Sequence, residues 1–482
     1  MKINRIASAA MAALLIASMV ALGACSKSYE HTFGEVEWLS TYAKEPGTTI
    51  KDSYYYSDGW FETSPETENK ELALASMQLT AAAVNNDENG MGAAFLRDMG
   101  FEKVGFSDFA SDDPDGFNYT YAVKTLESGD KLVAVVIQST SSDPAAKARG
   151  WRQNFIVNDP DASDPSGEHY AFAKAADSRL DEITSLGGGG TVKYWITGQS
   201  RGGAIANILA KKLGDRLSDK SGSIYAYTFE APATVDEAAA ASSAGYIHNY
   251  VCSDDLVTRL PAWGMTLYGN IHELKTDKTD EGMTAELEAM GSEAAEFRPR
   301  ILAEKDEDAI IAGFEKVIPT RADYSAVRTD KWTDSDGQSH ELTYSFQDAM
   351  IKLAGLMNNG TFKLSSLAGS RSELEGAIEH LKAGVSLEAK GSDPCAEYWE
   401  GAAGIYQQME ALTEGEGLPV SQEDLYEIIR LAAPVLIQIP ESGEPDTSLL
   451  TDVIGYSGDL VYSHQFDTLI ARLKVLAPTP EK

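Results

Sequence analysis

The sequence predicts an α/β fold of parallel strands interrupted by a large helical insertion. Three observations lead there. Short apolar runs alternate with amphipathic helical stretches between residues 130 and 252, as strand–crossover–strand units require. One such run, Val192-Lys193-Tyr194-Trp195-Ile196, leads through Gly198-Gln199-Ser200-Arg201-Gly202 into a helical stripe at Ile205, Ile208, Leu209 and Leu213. From about residue 275 to 450 the texture becomes helical, and one more helix follows near the C-terminus.

The N-terminus reads as a targeting segment. Met1–Arg5 is basic, Ile6–Ala21 is apolar, and Leu22-Gly23-Ala24-Cys25 has the form of a lipobox. Residues 1–24 are expected to be a lipoprotein signal peptide. Cys25 becomes the lipidated first residue, anchoring an extracytoplasmic protein to the cell membrane. A signal peptide cleaved after Ala24 or a retained membrane helix would also fit the apolar run. No later stretch is long and apolar enough to span a bilayer. The net charge of −34 at pH 7 argues against nucleic acid or anionic lipid as a general partner, and cleavage before Cys25 removes two further cations, Lys2 and Arg5. Of the remaining cysteines, Cys252 and Cys395 suit either one disulfide or two buried thiols.

Residues 25–65, rich in Ser, Thr, Glu, Lys and Tyr, read as a tether running into irregular structure with an edge strand. The α/β core is expected over 66–272. Glu71–Val84 and Met91–Met99 are helical, split by Asn85-Asn86-Asp87-Glu88-Asn89-Gly90. Asn118–Leu126 and Leu132–Ser139 form a hairpin, and the run Leu132–Ile137 is apolar enough for the sheet centre. Trp151–Val157 reads as a short strand and His169–Leu186 as an amphipathic helix, with His169 a capping or packing residue. Ser223–Phe229 and Tyr246–Cys252 are further strands, the first ending in Glu230-Ala231-Pro232-Ala233 and the second in Ser253-Asp254-Asp255. Residues 273–455 form the helical insertion, with helices at Met283–Met290, Asp308–Val317, Tyr344–Met357, Arg371–Ala383, Cys395–Leu412 and Gln422–Leu436 and no clear strand between them. Residues 456–482 return to the core. The Asp-rich turns at 112–116 and 334–337 lack the further ligands and closing Glu of a metal loop, so no metal or cofactor is expected.

The chemistry centres on Ser200. A strand–Gly-x-Ser-x-Gly–helix junction exposes a serine at the carboxyl edge of the sheet, beside a helix N-terminus. The Arg201 N–H there suits a developing oxyanion, and a second donor is expected from the polar stretch Gln138-Ser139-Thr140 that ends a central strand. A serine nucleophile needs an imidazole within hydrogen-bond reach and a carboxylate to orient it. An acid leaving one of the two strands after the elbow supplies the carboxylate, in Ser…Asp…His order. Among the histidines after Asp255, His380 sits mid-helix in the insertion and His340 in a polar hairpin-like stretch. His464 opens the final helix, and His272 remains the alternative.

These motifs resemble class-3, fungal-type triacylglycerol lipases and their bacterial lipase-like relatives. Thr197-Gly198-Gln199-Ser200-Arg201-Gly202-Gly203-Ala204 is similar to the family's Thr-Gly-His-Ser-Leu-Gly-Gly-Ala, and Asp255-Leu256-Val257-Thr258-Arg259-Leu260-Pro261 to its Asp-Ile-Val-Pro-Arg-Leu-Pro. Val136-Ile137-Gln138-Ser139-Thr140 stands where the family has Phe-Arg-Gly-Ser/Thr, and His169-Tyr170-Ala171-Phe172 is similar to a His-x-Gly-Phe before its elbow. The resemblance implies an α/β-hydrolase fold, Ser200, Asp255 and His464 as catalytic residues, Thr140 and Arg201 in the oxyanion hole, and a small-molecule or lipid ester as substrate. Gln199, Arg201 and Gln138-Ser139 depart from the family pattern, and the gap between Asp255 and His464 is far longer, which makes 273–455 an added cap. The reading is a serine ester hydrolase. The alternative is a surface lipoprotein that keeps the fold as a non-catalytic binding module.

Overall fold

The computed structural model describes residues 31–478 apart from 41–44, 46, 85–88, 108–114, 140–143, 160–166, 218–222, 241–243, 297–303, 359–366, 368–369, 371, 414–417, 441–442 and 451–461. The expected signal peptide, the lipidation site Cys25 and the Asp-rich turn at 112–114 lie outside the described residues.

The described chain opens with a two-stranded antiparallel ribbon, β1 (His31–Leu39) and β2 (Thr49–Ser57), where the sequence suggested irregular structure with an edge strand. Trp38, Tyr54 and Tyr56 are buried under it, so aromatic burial fixes a stretch whose polar composition hid the strand alternation. The following strands are β3 (Lys103–Phe106), β4 (Tyr119–Thr125), β5 (Lys131–Ile137), β6 (Val192–Gln199), β7 (Ile224–Phe229), β8 (Val235–Asp236), β9 (Ile247–Val251), β10 (Met265–Thr266) and β11 (Asn270–Glu273). Strands β8 and β10 pair with each other. The rest form one seven-stranded sheet in the order β11-β9-β7-β6-β5-β4-β3. It is parallel from β11 to β5 and antiparallel at β4 and β3.

The centre of the sheet is buried on both faces. In β5, Leu132, Ala134 and Val136 pack into one apolar cluster while Val133, Val135 and Ile137 pack into the other. This is the continuous apolar run expected of a strand covered on both sides. The helix Arg201–Leu217 lies on one face, next to the helix Tyr170–Ser185. The helices Lys70–Ala82 and Phe466–Leu476 lie on the other, with Asp277–Ala289 against the last of them.

Beyond the sheet, Glu304–Val317, Phe346–Asn358, Glu375–Ala389, Cys395–Leu412 and Gln422–Leu436 are helices with an apolar cluster of their own. Two local expectations fail. Residues 151–155 belong to a helix, Pro144–Phe155, because Trp151 and Phe155 are four residues apart and stack at 6.2 Å on one helical face. The insertion also contains a hairpin, β12 (Arg328–Thr333) with β13 (Ser339–Tyr344). Its strands are mostly polar and bury only Trp332 and Tyr344, so there was no apolar run to reveal them. Asp334 closes its turn by accepting from the Asp336 and Gln338 N–H groups. Cys252 and Cys395 are both buried free thiols, in different apolar clusters.

Candidate active site

The site is assembled where parallel strands end. Ser200 follows β6 directly, at φ +57, in the left-handed region that a side chain enters only under constraint. Its N–H donates to Phe229 O at 2.9 Å, which ties the turn to the neighbouring strand β7. The flanking glycines are required by space. A Cβ on Gly202 would stand 2.6 Å from Ile137 O and 2.9 Å from Gln138 O, so the helix reaches the end of β5 only with a hydrogen there.

Asp255 leaves β9 and is fully buried. Its Oδ1 accepts the Val257 N–H at 3.0 Å, capping a short 3₁₀ turn at Leu256–Arg259. Its Oδ2 lies 2.6 Å from His464 Nδ1, and His464 Nε2 lies 2.8 Å from Ser200 Oγ. The structure thus brings Ser200, His464 and Asp255 into one hydrogen-bonded line, from residues separated by up to 264 positions. The other candidate imidazole, His272, is on edge strand β11, where its Nε2 faces His248 Nδ1 at 3.0 Å. His340 faces Asp334 and His380 faces Glu397, both in the insertion.

Several groups hold His464 in place. Gln199 Nε2 donates to the His464 carbonyl at 2.8 Å, and Gln199 Oε1 accepts from Ser139 Oγ at 3.0 Å. Gln199 thus links the histidine loop to the end of β5. Two residues past the loop, Asp467 accepts from Trp38 Nε1 (3.0 Å), Ser40 Oγ (2.9 Å) and Ser292 Oγ (2.7 Å). The N-terminal ribbon therefore anchors the helix that His464 precedes.

Of the two expected oxyanion residues, Arg201 is the first residue of the elbow helix, among the N–H groups that an α-helix leaves without an intrahelical acceptor. Its side chain is buried, donating to Gln153 Oε1 at 2.6 Å and to Ser139 O at 3.4 Å. Thr140 lies outside the described residues. His169 is a packing residue. It is fully buried, stacks on Phe172, faces Asn154 O through Nε2 at 3.1 Å, and burial pushes its imidazole down to about 3.

One acid carried no assigned role in the sequence. Glu230, the residue immediately after β7, is fully buried at φ +44, and its Oε2 accepts the Cys252 N–H at 3.2 Å. Burial, and then the adjacent Asp255 carboxyl, hold it well above the usual carboxylate range. The signal was an acidic residue at the carboxyl end of a central strand, one strand from the end that bears Asp255. Single ligand atoms of Glu230, Asp255 and His464 fall within 4.8 Å of one another. The 2.6 Å between His464 Nδ1 and Asp255 Oδ2 is nonetheless a hydrogen bond, shorter than the about 3.3 Å between neighbouring ligands of tetrahedral zinc.

The insertion is tied to both sides of this rim. Val157 N–H donates to Gln347 Oε1 at 3.1 Å, Arg259 pairs with Asp308 at 2.7 Å, and Trp263 Nε1 donates to Ile318 O at 2.7 Å.

Residues 157–265 match the profile of the family Lipase (class 3), a stretch that takes in the elbow and Asp255. No curated protein matches the sequence. Among solved structures, the chain is similar to a triacylglycerol lipase whose catalytic centre is described as a serine protease triad. That likeness has 21% identity, covers 43% of this chain and 80% of the other, and has a TM-score of 0.33. The triacylglyceride lipase of Rhizomucor miehei gives 19%, 44%, 83% and 0.30, and lipase II from Rhizopus niveus 15%, 42%, 78% and 0.31. The family match and the mixed central sheet identify an α/β-hydrolase fold with additional helices.

Proposed function

From this lipase-like ester-hydrolase core, we propose that the chain hydrolyses carboxylic esters through a Ser200–His464–Asp255 triad and an acyl-enzyme intermediate. Ser200 Oγ attacks the acyl carbonyl while His464 Nε2 takes its proton. The oxyanion forms against the Arg201 N–H, with Thr140 as second donor. The protonated imidazole, steadied by Asp255, returns the proton to the leaving alcohol as the C–O bond breaks. Water then enters by the same route and releases the acid. The observation that carries this reading is the relay of 2.8 Å and 2.6 Å from Ser200 through His464 to a fully buried Asp255.

The substrate we propose is a lipid or small-molecule ester, with the insertion roofing the acyl pocket. The protein acts outside the cytoplasm, held to the membrane by lipid on Cys25. Among the described residues no helix is long and apolar enough to cross a membrane. The test is a series of p-nitrophenyl esters of rising chain length, assayed on wild type, Ser200→Ala and His464→Ala. Turnover that both substitutions abolish supports the reading. Turnover that survives Ser200→Ala, or none from folded wild type on any ester, refutes it.

A further inference from the structure

We propose that Glu230 is kept neutral and donates a hydrogen bond to Asp255, so that the acid behind the imidazole is a pair of carboxyls with one negative charge. Only the consequence for rate rests on the ester-hydrolase reading; the protonation state stands apart from it.

Strands β7 and β9 are neighbours in register, so the residues that leave their carboxyl ends emerge side by side. Glu230 and Asp255 are both fully buried. Each Asp255 oxygen has a donor: Oδ2 faces His464 Nδ1 at 2.6 Å and Oδ1 accepts the Val257 N–H at 3.0 Å. Glu230 Oε2 has one as well, the Cys252 N–H at 3.2 Å. Glu230 Oε1 has no donor among the described residues. The side chains beside Glu230 are the Asp255 carboxyl, with a carboxyl oxygen of each within 4.8 Å, and the Cys252 thiol, a weak donor. A buried acceptor with no donor costs free energy, and two like charges at this spacing cost more. One proton on Oε1 removes both costs, because it converts the orphan acceptor into a donor to Asp255.

Among the other ionisable groups around the pair, the Arg472 guanidinium acts on Glu230 through space, but no ion pair or hydrogen bond joins the two. Cys252, from the loop after β9, is a buried thiol pushed up by burial and then by Glu230. Asp254 on the same loop lies 3.3 Å from Lys275 and 3.9 Å from Arg472. Arg472, from the last helix, is engaged with Asp280 at 3.0 Å. His464 spends its Nδ1 contact on Asp255. The backbone points the same way. Glu230 sits at φ +44, held there by its N–H donating to Tyr250 O at 2.9 Å. Strain of this kind persists where the surrounding structure needs the side chain in one place.

Glu230 is then a positioning residue. It fixes which Asp255 oxygen meets the imidazole and keeps that carboxylate from becoming too basic. Without the donated proton, Asp255 stabilises the imidazolium more strongly, so the base is protonated up to a higher pH. The acid limb of Ser200 reactivity should move upward, and the rate near neutrality should fall.

Two readouts on the full chain test this. Infrared spectra at neutral pH should show a protonated-carboxyl C=O band in wild type that Glu230→Gln lacks. Ser200 phosphonylation by a fluorophosphonate, followed against pH, should stay within about threefold of wild type in Glu230→Gln, which retains a neutral donor. In Glu230→Leu it should slow by at least about tenfold, with the acid limb at higher pH. A wild type without the band overturns the proposal, as does a Glu230→Leu rate profile equal to wild type. If Glu230→Leu does not fold, a tenfold loss in folded Glu230→Gln would itself show that the ionised acid is needed, and would overturn it. A wild-type serine that never reacts removes the hydrolase reading, while the infrared band still decides the state of Glu230.

Discussion

Gly202→Ala tests whether the elbow geometry is set by backbone contact. The added methyl would sit 2.6 Å from Ile137 O and 2.9 Å from Gln138 O, and both obstacles are backbone with no rotamer to turn aside. Real Cβ contacts essentially never fall under 3.0 Å, so the start of the helix and the end of β5 must separate by at least about 0.4 Å, and by about 0.8 Å for an ordinary contact. Overpacking of this kind costs about 1–3 kcal/mol. The displaced segment carries Ser200, the Arg201 N–H and Ser139. A misplacement of about 1 Å in a reacting constellation costs on the order of 100-fold in rate, so a tenfold or larger loss is expected. Urea unfolding reads the stability and fluorophosphonate labelling reads the reactivity of Ser200. Gly355→Ala is the control. It lies in the helix Phe346–Asn358 with nothing within 4 Å of its Cβ, and should leave labelling unchanged while adding about 0.5–1 kcal/mol of stability. If Gly202→Ala matched wild type in both readouts, the steric account of the elbow would be wrong.

Three further outcomes follow from the same geometry. Asp255→Asn should preserve the fold but cut turnover by about 10⁴-fold, because the amide can hold the imidazole in the wrong tautomer; equal turnover in a steady-state assay would contradict the relay. Gln199→Leu removes the donor to the His464 carbonyl and the acceptor for Ser139, and should lower kcat more than it raises KM, measurable on a short-chain ester. His169, whose folded value lies near 3 against an ordinary 6.5, stays neutral when folded and takes up a proton on unfolding. Its contribution is complete above pH 6.5 and is lost as pH falls from there toward 3, by about 2.5 kcal/mol at roughly pH 4.5. His169→Gln should flatten the urea midpoint over that interval relative to wild type, and an unchanged slope would refute the assignment.

The parts of the molecule legible from the sequence are those with dense local signals. The run through β6, the turn at Ser200 and the stripe to Leu213 name strand, elbow and helix within about twenty residues, and the apolar run of β5 names a central strand. The helices Cys395–Leu412 and Gln422–Leu436 were readable to the residue, the second because its apolar periodicity is strong and Ser421 and Asp424 form a capping box. Where one apolar residue stands among charges, as in β12, or aromatic residues are spaced for a helix but read as a strand, as at Trp151 and Phe155, the pattern misled. The site was legible in its residue types but not in its geometry. His464 was legible from its place before the final helix, whereas the contact that occupies His272, with His248 on the neighbouring strand, shows only in the sheet order. Gln199, Glu230 and Asp467 act through partners 22 to 429 positions away, and no local pattern announces such contacts.

The central claim, that Ser200, His464 and Asp255 form one acyl-transfer relay, is tested most directly by mapping where a fluorophosphonate reacts. Peptide mass mapping of labelled wild type should place the adduct on Ser200 alone, and His464→Ala should slow its formation by several orders of magnitude while the fold persists. An adduct on another residue, or labelling of Ser200 at an unchanged rate without the imidazole, would contradict it.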